Sequence, residues 1–475
     1  MSISILAEPQ EFQPVYNEVV LVLDSTLKTE ESFQFIIDIT VNGSYSSRMK
    51  VSPNPDGYGV VDMHRHLESY TSYNLDTAAT GTFQQMTDSF CKYSVALKEE
   101  YVFNGVNSVA TIFGGHIQVS NTIPHGLAIG DKVNVTASTV AGYLGITEVV
   151  SVVSSTIVEL QVNYTANSIL TYARLDGATT IIDSSTVMTG DKIAVNAVED
   201  WIDVPNFDYS EYVLSPAPLG QLVSTIPTTN TVKLEDRVYS NFYNNSETGS
   251  TYLEVISTNG TFRITNPHVV PIDANRFLTI GVSPYLLNNT TDTVAVVSGS
   301  LPIVDAATTS YTVKLINSGF VATSETINFN VDASCNNFEI YRLIYMDQFG
   351  SFLNVNFELP TKYDVSTKRT KYLQNYGSYA GGSYGWNSYD RGQVVLDSNI
   401  TEVYEVSTDW VNNTVSNQVK DLLISPQVYH LDENGLLRAI DIKTSSLRVK
   451  NTSRDKVFNY SLKFEYAVKN TRQRG

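Results

Sequence analysis

Apolar and polar residues alternate one for one in short runs along most of the chain, and turn residues separate the runs. That period belongs to half-buried β-strands rather than helices. Val133 and Val135 alternate with Lys132, Asn134 and Thr136. Pro124 and Gly126 punctuate the approach to this run, and Gly130-Asp131 supplies a tight turn before it. A Gly-rich turn at 142–147 and two valine-rich runs at 148–153 and 157–162 follow. Residues 123–162 thus read as strand, turn and strand at the tempo of a very small β-barrel.

Upstream, apolar runs at 18–23 and 33–41 flank a polar stretch at 25–32, and Asn42-Gly43 is a hairpin signal. A turn cluster at 53–59 precedes a possible short helix at 62–70, and alternation resumes at 93–102. Downstream, strands are expected at 192–195, 252–256, 277–282, 294–297 and 311–316. The hexad at 190–195 echoes the one at 130–135, which reads as the same turn-into-strand solution used twice rather than a repeat array. From residue 338 a buried strand, a turn at 347–350 and a returning strand to 359 are expected, then strands at 438–442 and 458–466. The best helix candidate spans about 408–424, with Val411, Val415, Val419, Leu422 and Leu423 on one side. Thr408 and Asp409 stand where a cap belongs, and Ser425-Pro426 stops it.

The expected fold class is mainly β: multidomain β-sandwiches, a small inserted β-barrel and one C-terminal helix packed on a sheet. The expected divisions are an N-terminal sandwich at 1–110, the barrel at 111–178, a β-rich middle domain at 179–335 and a C-terminal β domain at 336–475. If the barrel is an insertion, excising 111–176 leaves the rest folded.

Composition narrows the function. Hydrophobic residues make up 42% of the 475 and charged residues 17%, a balance that supports packed cores rather than disorder. The net charge of −18 argues against tight nucleic-acid binding, which needs clustered Lys and Arg. No apolar run approaches the roughly 20 residues of a membrane helix, so no membrane insertion is expected. The first residues lack a basic stretch, and Glu8 and Pro9 interrupt their apolar character, so no secretory leader is expected. Cys91 and Cys335 are read as two reduced thiols packed as small apolar residues, although a single bridge between them stays open. The Asn-x-Ser/Thr triplets, such as those at Asn259 and Asn451, predict no glycan. The chain ends in a basic tail, 469–474.

Candidate chemistry is sparse. His64 and His66 share a face if their segment is extended, but no further His or Cys lies nearby to complete a metal site. His116, His125, His268 and His430 are scattered, and His125 sits in a turn where imidazole commonly satisfies backbone groups. Glu99-Glu100, Glu199-Asp200 and Asp203 are the carboxylates that could pair for glycoside hydrolysis, and spacing alone does not single them out. No nucleophile elbow, phosphate loop or zinc-protease helix occurs. No enzyme activity, catalytic residue, cofactor or metal is therefore expected. The segment 372–389 stands out instead. Tyr372, Tyr376, Tyr379, Tyr384, Trp386 and Tyr389, interleaved with Gly, Ser and Asn, give amphipathic contact area on a pliable backbone. Such a loop docks on a neighbouring subunit or a surface glycan, or else folds back on its own domain.

The His125-Gly126-Leu127 approach with Gly130-Asp131 and Val133 resembles the small barrel insertions of tail and neck proteins in tailed bacteriophages. Pro14-Val15-Tyr16-Asn17, the run at 33–40 and Asn54-Pro55-Asp56-Gly57 are similar to the N-terminal sandwich of virion proteins in phages of Bacteroidetes, including the crAss-like group. The segments Tyr345-Met346-Asp347-Gln348-Phe349-Gly350, Lys368-Arg369, Asp409-Trp410 and 422–429 look like their C-terminal portion. The resemblance is strongest over 10–175 and 338–470. It implies a virion structural subunit, assembled in the host cytoplasm with copies of itself as a cyclic oligomer and with other neck or tail proteins. Such a ring would pass DNA through an acidic lumen. A tail-tip adhesin recognising a host glycan or protein is the alternative, and a tail depolymerase the third reading.

Overall fold

A computed structural model describes residues 3–73, 81–177, 179–188, 190–244, 251–268, 276–334, 337–446 and 458–468. Cys335, Asn451 and the tail at 469–474 fall outside these. The chain is mainly β, with several sheets, a closed six-stranded barrel and a C-terminal helix packed on a sheet. It divides into two compact units, Met1–Ser72 with Asp88–Tyr209, and Tyr73–Thr87 with Ser210–Gly475. These divisions differ from the expected boundaries at 110, 178 and 335, because strands distant in sequence complete each unit.

In the first unit a three-stranded sheet (Ile3–Ala7, Val20–Ser25, Gly59–Asp62) shares a core with a six-stranded one. The larger sheet contains Gln34–Val41, Ser44–Val51 and the long strand Phe90–Val102. The period-2 pattern sets the inner face: Leu21 and Leu23 meet the cluster of Phe35, Ile37, Ile39, Val95 and Leu97, all buried. On the other face Asp38 takes a two-point contact from Arg48, 2.6 and 2.8 Å. Two of the six strands come from beyond the barrel. Thr179–Val187 pairs with Phe90–Val102, and Lys192–Val195 inserts between it and Phe12–Pro14. The sandwich therefore takes in residues assigned from sequence to the middle domain.

The barrel is closed by Asn104–Phe113, His116–Ser120, Ile157–Asn163, Gly145–Ser154, Lys132–Ser138 and Ser168–Arg174, all antiparallel neighbours. Ile117, Val119, Val133, Val135, Val149, Leu160 and Leu170 fill its interior. Gly130 holds φ +93°, a conformation costly for a side-chain-bearing residue, and its N–H reaches the Val149 carbonyl at 2.8 Å. Asp131 Oδ2 accepts the Ala128 N–H at 2.8 Å, which completes the turn into the strand. Gly190 repeats the positive φ before Lys192–Val195, so the two hexads do share a turn-into-strand solution, in different sheets.

Barrel pairing begins at Asn104, and the chain reaches it directly from Phe90–Val102. It returns into Thr179–Val187, and Thr179 pairs with Val102. The cassette thus hangs from two residues that face each other across a sheet. An excision at 111–176 would strand the first half of the Asn104–Phe113 strand; the natural cut lies between Val102 and Thr179.

In the second unit one core cluster holds Phe242, Val255, Phe262, Tyr345, Leu353 and Leu422, so residues before and after 335 pack together. A six-stranded sheet runs Thr229–Val232, Ile327–Val331, Ser310–Ile316, Tyr252–Ser257, Gly260–Thr265, Val294–Gly299. A three-stranded sheet joins Tyr239–Tyr243 and Phe277–Gly281 to Phe83–Gln85, a strand supplied from the far N-terminal part of the chain. The seven-stranded sheet runs Phe352–Phe357, Tyr341–Met346, Val428–Leu431, Leu437–Ile442, Ser461–Tyr466, Gln393–Ser407, Lys362–Leu373. Asp347 ties the hairpin at its second strand: Oδ1 accepts from the Phe349 and Ser351 amides at 2.9 and 2.7 Å, and Oδ2 from the Thr225 amide at 2.8 Å.

The helix spans Asn413–Ile424, shorter than the 408–424 expected. Asn412 is the cap, its side chain accepting from Val415 N at 3.0 Å, in place of Thr408 or Asp409. Thr408 and Val411 are held instead as extended backbone against Tyr460 and Phe458. Val419 and Leu422 are buried, and Ser425 returns to extended geometry.

Candidate interaction site

The strands Lys362–Leu373 and Gln393–Ser407 pair from Lys362↔Glu405 to Leu373↔Gln393. On its other side the returning strand is paired, among the described residues, from Tyr404 to Ser407 with Ser461–Tyr466. Beyond Tyr404 the two strands pair, among the described residues, with each other alone and form a two-stranded arm roughly 33 Å long at about 3.3 Å per residue. Apart from Gly377, every residue from Lys362 to Tyr389 is exposed. The segment does not fold back on the sheet that carries it.

The tip is built by local sequence. Gly381 and Gly382 both take positive φ (64° and 86°), as a two-residue hairpin turn requires, and join Ser378–Ala380 to Ser383–Gly385. The Tyr384 hydroxyl donates to the Tyr376 carbonyl, and Trp386 meets the Tyr376 ring edge-on at 6.2 Å. Asp390 Oδ2 accepts the Asn387 amide at 2.7 Å. Tyr376, Tyr384 and Trp386 thus form one small cluster, while Tyr379 and Tyr389 stand 72% and 78% exposed, and Tyr372 lies on the strand below. All six predicted contact residues are solvent-facing.

The outgoing strand is the sheet's edge and carries Lys362, Lys368, Arg369 and Lys371. Cations on an edge discourage strand-to-strand pairing, which leaves the tip as the contacting part. At the arm's root, Tyr404 stacks on Phe464 (5.3 Å, 12°) and meets Tyr363 at 4.8 Å. A cleft of about 540 Å³ beside them is lined by Thr401, Glu402, Tyr404, Arg438 and Tyr466.

The other sequence candidates are dispersed. His64–Glu68 is a helical turn, so His64 and His66 do not share the face that an extended segment would give them. His64 Nδ1 lies 2.6 Å from Asp62, and His66 Nε2 2.8 Å from the Ser46 hydroxyl. Glu99 and Glu100 alternate across their strand: Glu99 is buried and bonded to the Ser25 hydroxyl, whereas Glu100 meets Lys50 and Thr179. Burial, with Asp203 and Asp200 nearby, pushes the Glu199 carboxyl up, but the adjoining space is about 40 Å³, far below a ligand pocket. Cys91 is a free, buried thiol whose pKa burial pushes up to about 12. Among the described residues no three His, Cys, Asp or Glu form a metal-ligating group, and no helix is long and apolar enough to cross a membrane.

The sequence pattern missed a second recess. About 240 Å³ in volume, it is lined by residues from four separated stretches, among them Lys233, Asp332, Asn354, Asn356, Trp410 and Gln418. No spacing rule joins positions so far apart.

No family model matches the chain, and no curated protein matches it. Among solved structures, the phage phi92 endosialidase aligns over 98% of this chain and 69% of its own at 12% identity, with a TM-score of 0.15. A TM-score that low does not establish a shared fold.

Proposed function

We propose that this chain is a noncatalytic attachment protein of a tailed-phage particle, which engages a protein at the host surface through the tip of its arm. The observation that carries this reading is the arm itself: an outgoing strand exposed along its whole length, a half-buried returning strand, and a tip with six unburied aromatic residues. An isolated two-stranded ribbon is marginal in water, so such an arm is best understood as completed by a partner. The tip is rich in Tyr, Ser, Gly and Asn, the composition of surfaces that recognise foreign proteins. Permanent subunit interfaces are more apolar, like a core cut in half. The sequence resemblance to phage virion proteins supplies the setting.

A second reading, a ring subunit whose arm docks on its neighbour, draws support from charge. The distal arm carries Lys368, Arg369, Lys371 and Arg391 against Asp390 and Asp397, in a chain of net charge −18. The net-positive distal half complements an acidic second copy, although Asp364 and Glu402 nearer the root bring the whole arm to neutrality.

One variant separates the two. Leu373 pairs with Gln393, so an Asn-Gly turn can replace residues 374–392 and close the hairpin without its tip. Particles carrying this variant are expected to assemble normally and adsorb to host cells at least tenfold less. Failed assembly would instead support the ring, and normal assembly with normal adsorption would overturn both.

A further inference from the structure

Below the tip, strand register divides the side chains of the arm's shaft between two faces. On one, Glu405 takes Lys362 and Lys463 at 3.6 and 3.5 Å. The other begins at Val406 and Phe464, both buried in the core of the second unit. Alternate residues outward from Val406 are Tyr404, Glu402 and Ile400, which pair with Tyr363, Val365 and Thr367. Arg369 follows on this face. Past the register shift at Thr370/Lys371 it carries Lys371 opposite Val395, then Leu373.

The shaft therefore continues the core-facing side of the seven-stranded sheet beyond the buried part of that sheet. Tyr363, Val365 and Leu373 are 49%, 55% and 80% exposed, and Ile400 and Val395 half-buried. The opposite face is mostly polar over the same span, where Ser366, Lys368 and Thr370 pair with Thr401, Asn399 and Asp397. A ribbon with one apolar face is stable when a further layer covers it. Sheets supply such a layer to each other by packing face to face.

The placement of charge selects the occupant. On the apolar face, Arg369 and Lys371 lie to the distal side of the Thr367↔Ile400 pair, and Glu402 lies to its proximal side. A second shaft laid antiparallel on the first, with a twofold axis through that pair, brings Arg369 level with the second copy's Glu402. Lys371 comes level with the rings of Tyr363 and Tyr404, where a cation–π contact is available. Val365 and Ile400 meet their counterparts close to the axis. A parallel pairing would instead set each charge against its own copy, which costs affinity.

We propose that the apolar face of the shaft is a self-association surface, on which two copies of this chain pair antiparallel. Each tip then lies beside the other copy's arm root, whichever partner the tip itself takes. The face measures roughly 33 Å by 10 Å, about 300 Å² of flat area per copy. That is well under the roughly 800 Å² per partner of a standard interface. The dimer is accordingly weak, with a dissociation constant on the order of 100 µM.

The test is sedimentation equilibrium of the full chain at about 0.15 M salt, which screens the repulsion between copies of net charge −18. Monomer and dimer are expected to exchange over about 10–500 µM, a range that brackets that constant. Arg369→Glu with Lys371→Glu, and separately Glu402→Lys, are each expected to weaken association at least tenfold, because like charges then come level. Mixed in equal amounts, the two variants are expected to form a heterodimer as tight as the parental dimer, a recovery that misfolded chains could not give. Val365→Asn is expected to weaken association by a similar factor with the melting curve unchanged, and Lys368→Glu, on the opposite face, to leave association as it was. A parental chain that stays monomeric up to about 500 µM would overturn the proposal. So would undiminished association after charge reversal, or a mixture that stays monomeric. Loss of association when an Asn-Gly turn replaces residues 374–392 would overturn it too, by placing the contact at the tip.

Discussion

His125 uses both ring nitrogens and its own backbone. Nδ1 accepts the Leu127 N–H at 2.9 Å, so the ring proton sits on Nε2, which donates to the Ser154 carbonyl at 3.0 Å. The backbone N–H donates to Ser155 O at 2.9 Å. Replacing His125 with Ala leaves a buried amide unpaired and a void, and is expected to cost about 2–3 kcal/mol in the urea stability of the first unit. A protonated ring could not accept from Leu127, and burial already holds the His125 pKa below its ordinary value. Burial likewise pushes His430, bonded to the Tyr466 hydroxyl, down to about 4. For both, the unfolded chain takes up the proton first. Their contribution is therefore complete above about pH 6.5 and declines as pH falls toward the lowered folded values, by up to roughly 3 kcal/mol for His430. Urea midpoints are expected to drop between pH 7 and 4.5, and His430→Phe to remove much of that drop in the second unit. The role of His125 was legible because a histidine before glycine in a turn has few other uses. The helical turn at His64–Glu68 was legible as a short helix within 62–70, but not in its bounds, since five residues carry too little periodicity to fix them.

At the scale of elements, patterns that record burial were readable and those that record exposure were not. Val133 and Val135 alternate because one face of their strand enters the barrel. The arm strand Lys362–Leu373 faces water on both sides, so Tyr363 and Val365 alternate with nothing that marks a core. The helix was placed early for a related reason: Val411 continues its apolar stripe, yet it is paired with Phe458 as extended chain, and Asn412 makes the cap. The arm's exposure also has an energetic consequence. Closing the hairpin between Leu373 and Gln393 removes almost no buried surface, so the shortened variant is expected to keep the parental stability within about 0.5 kcal/mol by chemical denaturation. A larger loss would mean that the tip packs on something in the free chain.

For the whole molecule, composition and period made the mainly β class, the barrel and the C-terminal helix legible, but not which strands complete which sheet. Val102↔Thr179 is a contact that no local pattern announces. It sets the expected result of excision: joining Val102 to Thr179 by an Asn-Gly turn should leave a soluble first unit with cooperative thermal unfolding, whereas the cut at 111–176 should express poorly. Equal behaviour of the two would count against the cassette geometry. Phe83–Gln85 has a different consequence, one of time. Its partner strand, Phe277–Gly281, is synthesised almost two hundred residues later, roughly 10–40 s at the pace of translation. Through that interval the first unit can complete its sheets while a strand belonging to the second waits unpaired on the ribosome, so the order of emergence, and not only the final contacts, requires that segment to be kept from wrong partners.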